Sequence, residues 1–268
     1  AEMKADGLTD YLIVPLTPDD MTTMPWITFA TYRNGGFSKL EIDTLKRLCS
    51  SFSWKVRVTT AKIASHSLLS VYLGNNAAQK VFNGEFKRGT GDRIKAVIWF
   101  CDLRGFTQLS DEISEEKVVE ILDKYFECIA EPIENNGGEI LKFIGDAVLA
   151  IFPFNESSNT DCDKILESAE KALMNLKDWS AKKENPSLQA GISLHIGDVF
   201  YGNIGGSSRL DFTVIGSAVN VASRIEALCK NYSPILASEV FKDRLVTRNM
   251  VSIGKTQLKG VSREYELF

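Results

Sequence analysis

The sequence predicts an α+β protein: a ferredoxin-like βαββαβ core with extra strands, preceded by a long dimerising helix. Three observations predict it. Beyond residue 93, short β-rich runs alternate with helical periods in the order strand–helix–strand–strand–helix–strand. Gly- and Asn-rich turn signals such as Asn135-Asn136-Gly137-Gly138 separate them. Upstream, neither Gly nor Pro interrupts a helical pattern that runs from Ser38 to Leu73. Three regions follow: a short N-terminal segment over 1–36, a helix and linker over 37–92, and a compact domain over 93–268.

In the first region, Tyr11–Leu16 and Trp26–Tyr32 are strand candidates, and Asn34-Gly35-Gly36 is a turn. In the second, Leu45, Leu48, Phe52, Val56 and Ile63 fall roughly on one helix face. A helix this long, with an apolar stripe and little else to pack on, points to a dimeric coiled coil. The alternative, given imperfect heptads, is a helix packed on its own domain. Residues 74–92, rich in Gly and Asn around a short amphipathic middle, read as a linker.

In the third region, Ile94–Cys101 is an apolar strand. A helix runs from about Ser114 to Ala130, with Glu115 and Glu116 suiting the dipole of its first turn and Pro132 ending or kinking it. Strands at Glu139–Phe143 and Ala147–Phe152 flank Gly145-Asp146, a two-residue hairpin turn with Gly first. A helix covers about Cys162–Lys183. Ser187–Ile196 and Val199–Ile204 are strands around Gly197-Asp198, and Leu210–Ile215 is another. A helix from about Ser217 to Lys230 precedes a tail of short strands ending in Tyr265–Phe268.

Composition narrows the function classes. With 268 residues, 44% apolar and 25% charged, the chain can bury a sizeable core. A net charge of −4 without a Lys/Arg block argues against a nucleic-acid partner, though not against a nucleotide. Cys49, Cys101, Cys128, Cys162 and Cys229 are scattered without a C-x-x-C pair, which fits reduced thiols and a cytoplasmic location. His66 and His195 lie far apart and read as structural. No apolar stretch reaches 18 residues, so no transmembrane helix is expected. The N-terminus lacks the pattern of a signal peptide.

The chemistry gathers at two aspartates. Asp102 follows the apolar run Ala96–Cys101 and opens Asp102-Leu103-Arg104-Gly105-Phe106-Thr107; Asp146 sits at the hairpin tip. Carboxylates at strand ends beside glycines suit a Mg²⁺–phosphate site, and two such tips together suit two metals. Taken singly, each aspartate reads as a cap or turn residue. The Gly105-Phe106-Thr107 amides can form an anion-binding nest. Asn220 and Arg224, four apart, share one face of a helix and are surrounded by Val219, Val221, Ala222 and Ile225.

Phe100–Thr107, Lys142–Asp146 and Gly216–Arg224 together resemble the catalytic domain of class III nucleotide cyclases, over roughly Arg93 to Phe268. The resemblance implies conversion of ATP to 3′,5′-cyclic AMP and pyrophosphate with two Mg²⁺ per site, or Mn²⁺ in their place. It implies that Asp102 and Asp146 bind metal, with the Leu103 backbone beside them. Lys142 matches the lysine that reads the purine edge in adenylyl cyclases. An ammonium can donate to adenine N1, whereas guanine offers an N1–H donor and prefers a carboxylate. Thr213 falls where many members carry aspartate as the second base-reading residue. Threonine there is similar to a bacterial adenylyl cyclase subgroup and is a less stringent reader.

By the same resemblance, Asn220 orients the ribose and Arg224 stabilises charge on the reacting phosphate. Phe106, Thr107 and Arg104 are substrate-contact candidates, a surface role being the alternative for Arg104. Lys259 is a triphosphate candidate, with Val261 the alternative match. The family divides each site between two subunits, which implies a homodimer with two shared sites. The first 36 residues, with Gly35-Gly36-Phe37 leading into a helix, resemble the end of a GAF-type domain, which implies an upstream sensor. Competing expectations are a guanylyl cyclase, which Lys142 opposes, and a non-catalytic cyclase-like module. A diguanylate cyclase is a third, but Gly137-Gly138-Glu139-Ile140 lacks that family's second acid and Phe.

Overall fold

The computed structural model describes residues 7–16, 26–154 and 161–268. It divides into two compact units, Ala1–Val71 and Tyr72–Phe268.

In the first unit, β1 (Asp10–Pro15) and β2 (Trp26–Thr31) pair antiparallel, Asp10 opposite Thr31 and Pro15 opposite Trp26. Helix α1 (Lys39–Leu73) begins at a reciprocal capping box. The Ser38 N–H donates to Glu41 Oε2 at 2.8 Å, and the Glu41 N–H donates to Ser38 Oγ at 3.4 Å. Val14, Leu16 and Cys49 form a small core, edged by Leu12, Ile27, Phe29 and Val56. Elsewhere the expected stripe is open: Phe52 is 55% and Ile63 62% exposed.

In the second unit, β-propensity and alternation build one sheet with two covered faces. The strands are β3 (Gly91–Leu103), β4 (Glu139–Ile144), β5 (Ala147–Pro153), β6 (Ala190–Gly205), β7 (Leu210–Ile215) and β8 (Ile235–Ala237). The hydrogen-bonded order is β4-β5-β3-β6-β7, antiparallel throughout, and β8 adds to β6 in parallel. Val97, Trp99 and Cys101 of β3 point to a core closed by α4 (Glu115–Asn135) and α5 (Cys162–Ser180). The alternate residues Ala96 and Ile98 point to the other face. There Ala77 of α2 (Asn75–Phe82) and Ala218 and Ala222 of α6 (Ser217–Glu226) cover them. The small helix α3 (Phe106–Glu112) follows β3, and α7 (Glu239–Lys242) precedes the pair β9 (Gly254–Gln257) and β10 (Glu264–Leu267). Successive β3, α4, β4, β5, α5 and β6 are the expected βαββαβ core.

Three local expectations change. Residues 75–82 are a helix, not linker, because Ala77 and Ala78 are small enough to lie flat on the sheet, fully buried. β6 is one continuous strand: Gly197 and Asp198 pair with Ala96 and Lys95 without a break. Gly197 is required there by helix contact, since a Cβ would come within 2.5 Å of the Ala218 methyl. Helix α4 runs through Pro132 to Asn135. Its stop is set by Gly137, at φ +79°, with the Gly138 N–H bonding back to the Ile133 carbonyl. Residues 106–112 form the further helix α3.

Candidate active site

β3 carries Asp102 to the end of the sheet, opposite Gly191 of β6. Beside it, β4 and β5 are joined by a two-residue turn, Ile144 facing Ala147 and Gly145 taking φ +64° as expected of a Gly-first hairpin. Cys101 pairs with Val148, so the ladder brings the hairpin tip next to the β3 end. The Asp102 and Asp146 side chains meet in a hydrogen bond. Burial, then the bond to Asp146 and its charge, push the Asp102 carboxyl up to about 7; Glu226 adds to this and Arg104 opposes it. Two carboxylates pressed together in a half-buried site are relieved by a cation. The Leu103 side chain is in the core, which leaves its backbone oxygen as a further donor. Two carboxylates and a carbonyl are hard oxygen ligands that fit Mg²⁺ or Mn²⁺. Among the described residues no group of three His, Cys, Asp or Glu side chains forms a metal cluster.

The following loop turns sharply at Gly105, φ +70°, the N-cap of α3. The Leu109 N–H bonds back to the Gly105 carbonyl at 3.0 Å. The Phe106, Thr107 and Gln108 amides therefore have no helical acceptor. The Phe106 ring packs on the main core while Thr107 is exposed. Arg104 points to α6: its Nη2 lies 3.0 Å from Glu226 Oε1 and donates to the Glu226 carbonyl at 3.4 Å. Glu226 is buried, and that burial pushes its carboxyl above the usual range despite Arg104. Gly191 lies under this contact, where any Cβ would run into the guanidinium. Nothing in the sequence spacing marks this pair, because Gly191 comes opposite Asp102 only in the formed sheet. Arg104 also borders a cleft of about 910 Å³ lined by Lys177, Lys230 and Tyr232, whose wall includes neither aspartate.

Lys142 is placed by a β-bulge. The β4–β5 register shifts between Ile140 and Lys142, so Leu141 is the extra residue. Leu141 packs on the second core cluster, and Lys142 takes the place opposite Leu149. From there its Nζ donates to Asp211 Oδ2 of β7 at 2.7 Å. β4 and β7 end opposite sides of the strand path. This ion pair therefore joins the two edges of the sheet. Lys142 is the largest influence holding the Asp211 carboxyl below its ordinary value. Thr213, two residues further along β7, is buried and pairs with Gly202. Asp211 was not singled out from the sequence, and nothing in the spacing marks it.

Asn220 and Arg224 stand exposed on α6, while Ala218, Val221, Ala222 and Ile225 are buried behind them. Among the described residues neither makes a hydrogen bond or ion pair, and neither joins the two aspartates. Lys259 is exposed in the turn closed by the Val261 N–H and the Leu258 carbonyl, with Gly260 at φ +75°. Val261 itself packs on the C-terminal core cluster.

The fold is that of a nucleotide cyclase domain, as comparison with known proteins shows. The family model described as the adenylate and guanylate cyclase catalytic domain matches residues 92–268, and the chain belongs to this family. An adenylate cyclase of Anabaena cylindrica is 40% identical over 151 residues, 54% of this chain and 29% of that protein. The terminal-differentiation-specific adenylate cyclase of Dictyostelium discoideum is 28% identical over 84% of this chain and 10% of its own length. The chain thus spans less than a third of these relatives. Among solved structures, a bacterial light-regulated adenylyl cyclase is 26% identical with a TM-score of 0.66, covering 82% of this chain and 64% of that one. The guanylyl cyclase Cya2 is 30% identical with a TM-score of 0.58, over 66% of this chain and 91% of that one. Cyclases of this family depend on Mg²⁺ or Mn²⁺, and class III domains act on nucleotides as dimers. Among the described residues no helix is long and apolar enough to cross a membrane.

Proposed function

We propose that the chain is an adenylyl cyclase that converts ATP to 3′,5′-cyclic AMP and pyrophosphate at two sites shared between two copies of itself. The observation that carries this is the contact of Asp102 with Asp146, carboxylates from separate elements that lie side by side where a cation would take the place of the proton between them. When bound there by Asp102, Asp146 and the Leu103 carbonyl, two Mg²⁺ ions, or Mn²⁺, would activate the ribose 3′-hydroxyl and neutralise the departing pyrophosphate. The 3′-oxygen bonds to the α-phosphorus, the bond to the bridging oxygen breaks, and the hydroxyl proton leaves to solvent or substrate. The Phe106 and Thr107 amides, Lys259, and the donors of Arg104 not taken by Glu226 receive the triphosphate. Lys142 donates to adenine N1, and Thr213 accepts from the N6 amino group, as in the threonine-bearing adenylyl cyclase subgroup.

Asn220 orients the ribose, and Arg224 stabilises charge on the reacting phosphate. Both are exposed on α6 and unpartnered among the described residues, as expected of groups offered to another subunit's substrate. The open stripe of α1 supports the same homodimer as a coiled coil, and α1 would transmit the state of an upstream sensor. Guanylyl cyclase is the second reading, favoured by the likeness to Cya2.

Incubation of the purified protein with ATP or GTP and Mg²⁺ or Mn²⁺, with chromatography of the products, separates these readings. Cyclic AMP is expected; failure to cyclise either nucleotide with either metal sinks the proposal. Arg224→Ala is expected to lower kcat by about 10²–10³. Asp102→Ala and Asn220→Ala chains, each inactive alone, should regain activity when mixed, and no recovery would count against shared sites.

A further inference from the structure

We propose that Asp211 is a positioning residue for base selection: it holds the Lys142 ammonium where it meets the purine edge and so sets the preference for ATP over GTP. This rests on Lys142 reading the base. Three features carry it. Lys142 sits on a four-carbon stem that is 34% exposed, and such a stem samples many rotamers unless something fixes its end. The Lys142–Asp211 contact is short, 2.7 Å, and bridges the β4 and β7 edges, so it specifies one position across the gap. Finally, β7 carries Asp211 and Thr213 two residues apart, on the same side of the strand. A single strand thereby supplies both the anchor for one base reader and the other reader itself.

The hydrogen-bond count agrees with this role. An ammonium has three donors; Asp211 takes one and two remain for the purine. Adenine N1 is an acceptor that an oriented ammonium satisfies, while guanine N1–H points a donor at it. Asp211 is an acceptor that guanine would favour, and its Oδ2 is occupied by Lys142. Arg209 approaches Oδ1 only distantly, at 3.9 Å and largely exposed. The pair thus presents the ammonium donors to the purine and occupies one of the two Asp211 oxygens. Its contribution to folding is small, because both partners are substantially exposed.

The test measures kcat and KM for ATP and GTP in the full chain carrying Asp211→Asn, Asp211→Glu, Lys142→Ala, or Asp211→Asn with Lys142→Ala. Melting curves report folding. Asp211→Asn should lower the ATP:GTP ratio of kcat/KM about tenfold, mainly through KM for ATP, with Asp211→Glu recovering part of it. In the Lys142→Ala background Asp211→Asn should change the ratio no further, because the group it positions is gone. Equilibrium binding of non-cyclisable ATP and GTP analogues supplies the same ratio without turnover. An unchanged ratio in Asp211→Asn, alongside a collapsed ratio in Lys142→Ala, overturns the role of Asp211 and leaves base reading by Lys142 standing. An unchanged ratio in Lys142→Ala removes the base-reading assignment itself, and this proposal falls with it. Equal further loss in the double variant would show that Asp211 acts through the fold and not through Lys142.

Discussion

The two units handle apolar surface in opposite ways. In Tyr72–Phe268 the sheet is covered on both faces, and Ile98, Trp99, Ile151 and Leu194 are fully buried. In α1 Cys49 is the buried residue, and Leu48, Phe52, Ile63 and Leu68 face outward. One unit closes its own core; in the other, among the described residues, the apolar stripe of α1 stands open. Stability should therefore reside in the catalytic unit, and association in α1.

The strongest way to break this contrast is Ile151→Ala. Ile151 is sealed between sheet and helices, so the substitution should destabilise the catalytic unit by about 4 kcal/mol in urea titration. A loss below about 1 kcal/mol would mean this core is looser than its burial implies. Next, Arg104→Met leaves Glu226 as a buried charge without its partner and should cost about 3 kcal/mol. Adding Glu226→Gln should return much of that loss, as measured by the same titration.

A third effect is pH-dependent. His195 is buried, its Nδ1 2.7 Å from Ser238 Oγ, and burial lowers its pKa from 6.5 to about 4. The unfolded chain therefore binds the proton more readily. This contribution is complete above pH 6.5 and is lost as pH falls through the window to about 4, up to about 3 kcal/mol. His195→Gln should flatten that part of the stability curve, and a parent curve already flat there would refute the assignment. The smallest expected effect on folding is Ile63→Ser in α1, within about 0.5 kcal/mol for the catalytic unit. The same variant should weaken self-association roughly fivefold by sedimentation equilibrium. If it lowered catalytic-unit stability as much as Ile151→Ala, the contrast would be wrong.

Local signals were legible in the chain. The Ala96–Cys101 run ending at Asp102 has the periodicity of a strand, and Gly145-Asp146 has the chemistry of a two-residue turn, with Gly145 at φ +64°. Signals that depend on a partner were not legible. Gly197-Asp198 resembles a turn until Ala218 is known to lie against it. The segment 75–82 resembles a linker until the sheet that buries Ala77 and Ala78 is present. Pro132 suggests an end, yet the helix continues to Asn135 with the loss of the one bond that the proline nitrogen cannot make. Arg104–Glu226 and Lys142–Asp211 join residues 122 and 69 positions apart, through a sheet whose order no local window contains.

The single extra residue Leu141 makes the length of β4 a question of odd and even. Glu139, before the bulge, is gripped by the Tyr201 hydroxyl at 2.8 Å and by the Asn76 amide at 3.0 Å. Asp146, after it, must reach Asp102. Deleting Leu141 would mend the ladder and leave Lys142 facing as it does, opposite Leu149, whereas a single deletion between Lys142 and the Gly145-Asp146 turn would set Lys142 opposite Val148, on the other face of the sheet. Tolerance to changes in length after the bulge should therefore alternate with parity, and a screen of indels between Lys142 and Asp146 would read as a two-step code.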